Sequence, residues 1–162
     1  MDQPGSPIVE TARAFAALLP SGGALLGLDL GTQTIGIATC DAGWRFATAG
    51  KTLQRGKFGA DAARLAEIVA ERAIAGVVIG LPRNMDGSEG PRAQSSRAYA
   101  RNLAAKLALP VLLWDERWST LSAERDLIAQ DVSRRKRGAV IDSHAAAVIL
   151  QGAIDAMAGG GF

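Results

Sequence analysis

Leu25-Leu26-Gly27-Leu28-Asp29-Leu30-Gly31-Thr32-Gln33-Thr34-Ile35-Gly36-Ile37-Ala38 is the stretch on which the reading of this chain turns. It predicts a strand, a tight turn and a second strand. Leu25, Leu26, Leu28 and Leu30 form a near-continuous apolar run, the pattern of a strand buried on both faces. One carboxylate, Asp29, interrupts it. A lone buried charge is costly unless it is paired or coordinated, so an acid at the end of a central strand marks a site. Gly27, Gly31 and Gly36 strip side chains from its surroundings and let backbone or ligand come close. The same reading expects Gly31 to occupy a backbone region that other residues enter only at a cost.

The rest of the composition sets bounds. A chain of 162 residues fits one domain with a real core. With 48% hydrophobic and 21% charged residues it has an ordinary soluble make-up. The net charge of +2 demands no polyanionic partner, so local charge must carry any such argument. Cys40 is the sole cysteine, which excludes an internal disulfide and a cysteine-built zinc site and suits a reducing cytoplasm. No apolar run reaches membrane-span length, and Met1 to Ser6 lacks the basic start of a signal peptide. The expectation is a cytoplasmic protein with no membrane partner, monomeric or homodimeric.

Outward from the hairpin, residues 1–23 read as an extension. Ile8, Ala12, Phe15, Ala16 and Leu19 recur at helical spacing, and Pro20-Ser21-Gly22-Gly23 ends the pattern. Residues 24–158 read as the main domain. Trp44 to Leu53 predicts a third strand, Asp61 to Ala75 a helix and Val77 to Leu81 a buried strand. Pro82 to Gly90 is a polar loop, and Pro91 to Leu107 a helix. Pro110 to Trp114 is a fifth strand, ending in Asp115-Glu116-Arg117. Leu121 to Gln130 reads as helix, Asp131 to Ala139 as a basic loop and Val140 to Ala158 as the last helix. This order gives an α/β fold, a mixed five-stranded sheet flanked by helices, of the ribonuclease-H-like kind.

Three acidic positions fall at element ends: Asp29, Asp115-Glu116 and Asp142. Ligands of open α/β sheets gather beyond the carboxyl ends of the strands. Asp142, Ala145, Ala146 and Ile149 share one helix face, which would turn Asp142 towards the first-strand acid, although a simple N-cap suits its position too. Converging carboxylates select a hard divalent cation, Mg²⁺ or Mn²⁺. Two such ions can activate water and stabilise the leaving oxygen of a phosphodiester. Asp115, Asp86 and His144 are candidate assisting groups.

A G-x-D-x-G-T hairpin resembles both the ribonuclease-H-like nucleases and the phosphate loop of actin-type ATPases. Further motifs separate the two. Val78-Ile79-Gly80-Leu81-Pro82, Asn84-Met85-Asp86-Gly87-Ser88-Glu89-Gly90, Asp115-Glu116-Arg117 with Ser119-Thr120, and Ile141-Asp142 with Ala145-Ala146 and Ile149-Leu150-Gln151 follow in order. With them the chain resembles the YqgF family, also called RuvX, from Leu25 nearly to Asp155. The resemblance implies Asp29, Glu116 and Asp142 as a metal-holding catalytic triad. It implies an endonuclease on structured nucleic acid, processing the 5′ end of the small-subunit ribosomal RNA precursor (pre-16S rRNA), with Holliday junction resolution of branched DNA as the alternative. One departure is Gln33-Thr34, where the family often carries a basic pair.

The run Arg134-Arg135-Lys136-Arg137 beside Asp142 fits a phosphate backbone, against the plainer reading of a solvated loop. Thr32, Arg83, Arg92, Arg97 and Arg117 are further candidate contacts, and Trp118 could stack a base. Two other classes stand against a nuclease. An actin-like ATPase would need a second lobe, and a non-catalytic ribosome-assembly module would have no use for three acids.

Overall fold

The computed structural model describes the backbone of residues 6–118 and 134–159, and the side chains of residues 6–118 and 144–159. The central hairpin is as the sequence predicts. Strand β2 (Ala24–Leu30) returns as the antiparallel β3 (Thr34–Cys40), with Leu30 opposite Ile35 and the turn closed by Gly31 N donating to Thr34 O. Its register places Gly36 directly across from Asp29. The third antiparallel strand, β4 (Thr48–Gln54), starts four residues later than Trp44, because Trp44 adopts φ 52° and cannot extend. Its indole donates to Gly23 O at 2.7 Å instead.

Helix α2 (Phe58–Arg72) crosses back to β5 (Ile74–Leu81), which runs parallel to β2 with Leu28 beside Ile79. The helix ends at Ala73, in the left-handed region, rather than at Gly76. Helix α3 (Pro91–Leu107) matches its expected bounds, with proline in its first turn where a missing N–H costs nothing. It leads to β6 (Val111–Asp115), parallel to β5, with Gly80 beside Trp114. A 3₁₀ turn, Glu116–Trp118, follows.

Three expectations need correcting. The sheet has six strands, not five, in the order β1-β6-β5-β2-β3-β4. The extra one, β1 (Ile8–Val9), pairs in parallel with the edge of β6. A helix therefore cannot begin at Ile8. Thr11 caps the short α1 (Ala12–Ala17), its hydroxyl accepting from Ala14 N. Phe15 is fully buried, and its ring lies 2.7 Å from where a Cβ on Gly76 would stand. Third, helix α4 runs Arg134–Gly159, so Arg134 to Arg137 are helical and not a loop. Arginine and lysine are nearly as good helix formers as alanine. The expected helix Leu121 to Gln130 lies outside the described residues.

The core has two layers. Leu26, Leu28, Leu30, Val77, Ile79, Leu81 and Leu113 pack beneath α2 and α3. Leu25, Val78, Leu112 and Trp114 pack against α1 and α4. Side chains alternate along a strand. Asp29, between Leu28 and Leu30, therefore faces α4, whereas Asp115, after Trp114, faces the α3 side.

Candidate active site

Asp29, Glu116 and Gly80 meet at the carboxyl ends of the parallel strands. Asp29 is 3% exposed at the end of β2, with Gly36 opposite it on β3. On the other side, one residue past the Leu28–Ile79 pair, lies Gly80 of β5. The 3₁₀ turn brings Glu116 back over this glycine. Its Oε1 lies 2.6 Å from where a Cβ on Gly80 would be, and Ile149 Cδ1 lies 2.5 Å from the same point. The Glu116 carboxylate and Ile149 of α4 thus share the α4 face with Asp29. Neighbouring strands are about 4.8 Å apart, so a carboxylate above Gly80 is a close neighbour of Asp29.

Helix α4 comes very near the sheet here. A Cβ on Gly27 would stand 3.1 Å from Ala146 O and 2.8 Å from Leu150 Cβ. Ala145, Ala146 and Ile149 are fully buried. Asp142 precedes Ala146 by one helical turn, on backbone that is helical, and its side chain lies outside the described residues. Among the described residues no three His, Cys, Asp or Glu side chains are grouped to hold a metal ion. The two described carboxylates, with small residues around them, are a hard oxygen donor set that fits a divalent cation.

The hairpin turn beyond Asp29 is held by two arginines. Arg55, just past β4, donates from Nη1 to Gly31 O at 2.6 Å, and its backbone N donates to Gln33 O. Its guanidinium lies 5.0 Å from the centre of the Tyr99 ring. Arg92, in the first turn of α3, donates to Leu30 O at 3.3 Å. Gly31 is not among the residues with positive φ. The reason expected for this glycine is therefore replaced by another: a Cβ there would crowd Thr34 O at 3.0 Å.

A family model described as RuvX, Holliday junction resolvase, matches residues 23–156. The chain belongs to the RuvX family. Relatives from Novosphingobium aromaticivorans (62% identical over 155 residues, 96% of this chain and 99% of the relative) and Sphingopyxis alaskensis (63% over 150 residues, 93% and 98%) each carry the name "Putative pre-16S rRNA nuclease". Among solved structures, T. thermophilus RuvC in complex with a Holliday junction substrate superposes with a TM-score of 0.53 at 15% identity, covering 85% of this chain and 96% of that one. The fold is the ribonuclease-H-like fold of RuvC.

Several residues of this RuvX chain stand in places the sequence did not foretell. Asp115 turns to the opposite face from Asp29 and binds Arg117 through its guanidinium (2.6 Å) and backbone N (2.9 Å), with Arg83 at 3.5 Å. Burial alone would raise its pKa, but the hydrogen bonds and charge of Arg117, with Arg83 behind them, outweigh burial and hold it low. These bonds tie Asp115 to the 3₁₀ turn that contains Glu116. Asp86 is exposed and accepts from Ser88 N and Oγ, which lowers its pKa and folds the loop after β5.

Arg83 pairs with Glu10, Glu89 and Asp115, and Arg117 with Asp115, so these two candidate phosphate contacts already meet carboxylates. Trp118 is 45% exposed and stacks edge-on against Trp114, with ring centres 5.4 Å apart. Thr32 is exposed at the hairpin tip, and His144 is half-buried on α4. Gly80 and Arg55 are the residues that sequence reasoning missed, whereas Arg92 was among the cations expected to extend the basic surface. For Gly80 the available signal was a glycine inside a buried strand, which marks a close approach. Arg55 lies far from the hairpin in sequence and gave none.

Proposed function

We propose that this chain is a cytoplasmic endonuclease, dependent on a divalent metal ion, that cleaves phosphodiester bonds of pre-16S rRNA at its 5′ end. The observation that supports it best is the placing of Asp29 and Glu116 on one face of a RuvC-type sheet, at the strand ends, with glycines clearing the space around them. Asp29, Glu116 and Asp142 would hold the ion, Mg²⁺ or Mn²⁺. When bound, that ion supplies an activated water and charge for the leaving oxygen.

The chain's own residues do the rest. Gly80 leaves room for the Glu116 carboxylate, and Asp115 is bonded to the turn that contains it. The first-turn cations of α4 would contact the phosphate backbone, and Trp118 offers a face for an unpaired base.

The experiment uses purified protein with pre-16S rRNA and with a four-way DNA junction, each with Mg²⁺ or with chelator. Metal-dependent cut RNA and an intact junction are expected. Asp29→Asn, Glu116→Gln and Asp142→Asn should each abolish cutting while the protein stays folded, since clustered like charges repel. Wild-type rates in all three would move the site elsewhere. The family's description as Holliday junction resolvase favours a second reading, on which the junction is cut and the RNA is not. Binding without cutting of either would mark a ribosome-assembly module.

A further inference from the structure

The arginines at the carboxyl end of the sheet divide by what they bind. Arg83, Arg97 and Arg117 are matched by carboxylates: Arg97 meets Glu89 and Glu10 at 2.6 and 2.9 Å, and Arg83 and Arg117 share Asp115. Arg55 and Arg92 bind the neutral carbonyls of Gly31 and Leu30. Among the described residues neither has a carboxylate at ion-pair distance. A guanidinium bonded to a carbonyl keeps its full charge and, of its five N–H donors, most stay available.

These two charges adjoin a turn whose residues Thr32 and Gln33 are exposed and uncharged. Arg55 is also held in advance: the Gly31 carbonyl fixes one arm, and the Tyr99 ring supports its plane. That ring is itself set edge-on against Phe58 at 5.2 Å. A side chain already ordered loses little entropy when it binds. Planar, bidentate recognition of phosphate is what such a guanidinium does best.

We propose that Arg55 and Arg92, bonded to the Gly31 and Leu30 carbonyls at the end of β2, form a phosphate-binding subsite for the nucleic-acid backbone on the α3 side of the sheet, one to two residues along the chain from Asp29. The subsite rests on the nuclease reading for its role but not for its detection. Phosphate contacts position a nucleic acid without reading its sequence, so they register as salt-dependent affinity alone.

The test is binding of a labelled oligouridylate in chelator, where nothing is cut, at several salt concentrations. Arg55→Gln and Arg92→Gln should each flatten the log–log slope by about 0.7, and the double variant by about 1.4. Arg55→Lys keeps the charge and should keep the slope. Arg101→Gln, exposed on α3 nine residues beyond Arg92, should leave it unchanged. Melting curves check that Arg55→Gln folds; should it not, the exposed Arg92→Gln decides.

Slopes for both single variants that superimpose on wild type overturn the proposal, as does a wild-type protein with no measurable affinity. A flattened slope in a protein that cuts nothing with Mg²⁺ supports the subsite and sinks the nuclease reading. Normal cutting with unchanged slopes does the reverse.

Discussion

Gly80 decides where the Glu116 carboxylate can stand. The space above its Cα is taken by Glu116 Oε1 and Ile149 Cδ1, each within 2.6 Å of where a Cβ would sit. Alanine there must displace one or both. Overpacking of this kind typically costs about 1–3 kcal/mol. Gly80→Ala should lower the melting temperature and cut nuclease activity at least tenfold, because the displaced group belongs to the proposed site. Gly76→Ala is the comparison: its Cβ would collide with the Phe15 ring and Leu19 Cδ1 at the opposite end of β5, away from Glu116. It should lose similar stability while keeping far more activity. Equal loss of activity in both would mean that packing alone is responsible. Asp29 was readable in the sequence because an acid in an apolar run stands out. Gly80 signalled only a close approach within a buried strand, since what approaches it depends on a 3₁₀ turn folding Glu116 back across a neighbouring strand.

The elements were readable where a local rule decided them. A near-continuous apolar run broken by glycines gave the β2–β3 hairpin, and Pro91 with its apolar spacing gave α3. They were misread where a tertiary or dipolar effect intervened: β1 forms because the edge of β6 pairs with it, and α4 begins at Arg134 although a run of four cations suggests solvated loop. That run has a consequence. Arg134, Arg135, Lys136 and Arg137 open a helix with no acid in its first turn, at the end where the macrodipole is positive. Cations there are unfavourable in the free protein and become favourable beside a polyanion. Replacing all four with Ala should raise the melting temperature of the free protein and weaken nucleic-acid binding. The log–log salt slope should flatten by roughly 0.7–0.9 for each phosphate the variant no longer neutralises. A variant that melts lower and binds with an unaltered slope would refute both halves.

Across the whole molecule, carboxylates and guanidiniums tie together segments that are distant in sequence. Glu10 follows β1, Arg83 and Glu89 lie in the loop after β5, Arg97 is on α3 and Asp115 ends β6. Glu10 reaches Arg83 and Arg97 across 73 and 87 residues, separations over which no local pattern gives a signal. This is why residues 1–23 read only as an extension, whereas in the structure Glu10 is joined by ion pairs to the loop that adjoins the site. The network has a definite pH signature. Glu89 is held below its ordinary pKa, first by its hydrogen bond from Arg97 and then by the charges of Arg97 and Arg83. Asp115 is held low by Arg117 and Arg83 against the effect of burial. Both are lowered in the folded state, so the unfolded chain binds more protons as pH falls through the ordinary carboxylate range, about 3.9–4.3. Their stabilisation is therefore full above that range and disappears as pH drops through the lowered folded-state values. Arg97→Gln removes the main partner of Glu89 and one partner of Glu10. In urea unfolding the gap between wild type and Arg97→Gln should be greatest at pH 7 and should narrow steadily below about pH 4. A gap of constant size from pH 7 to pH 3 would show that Arg97 acts through packing of its stem and not through its charge.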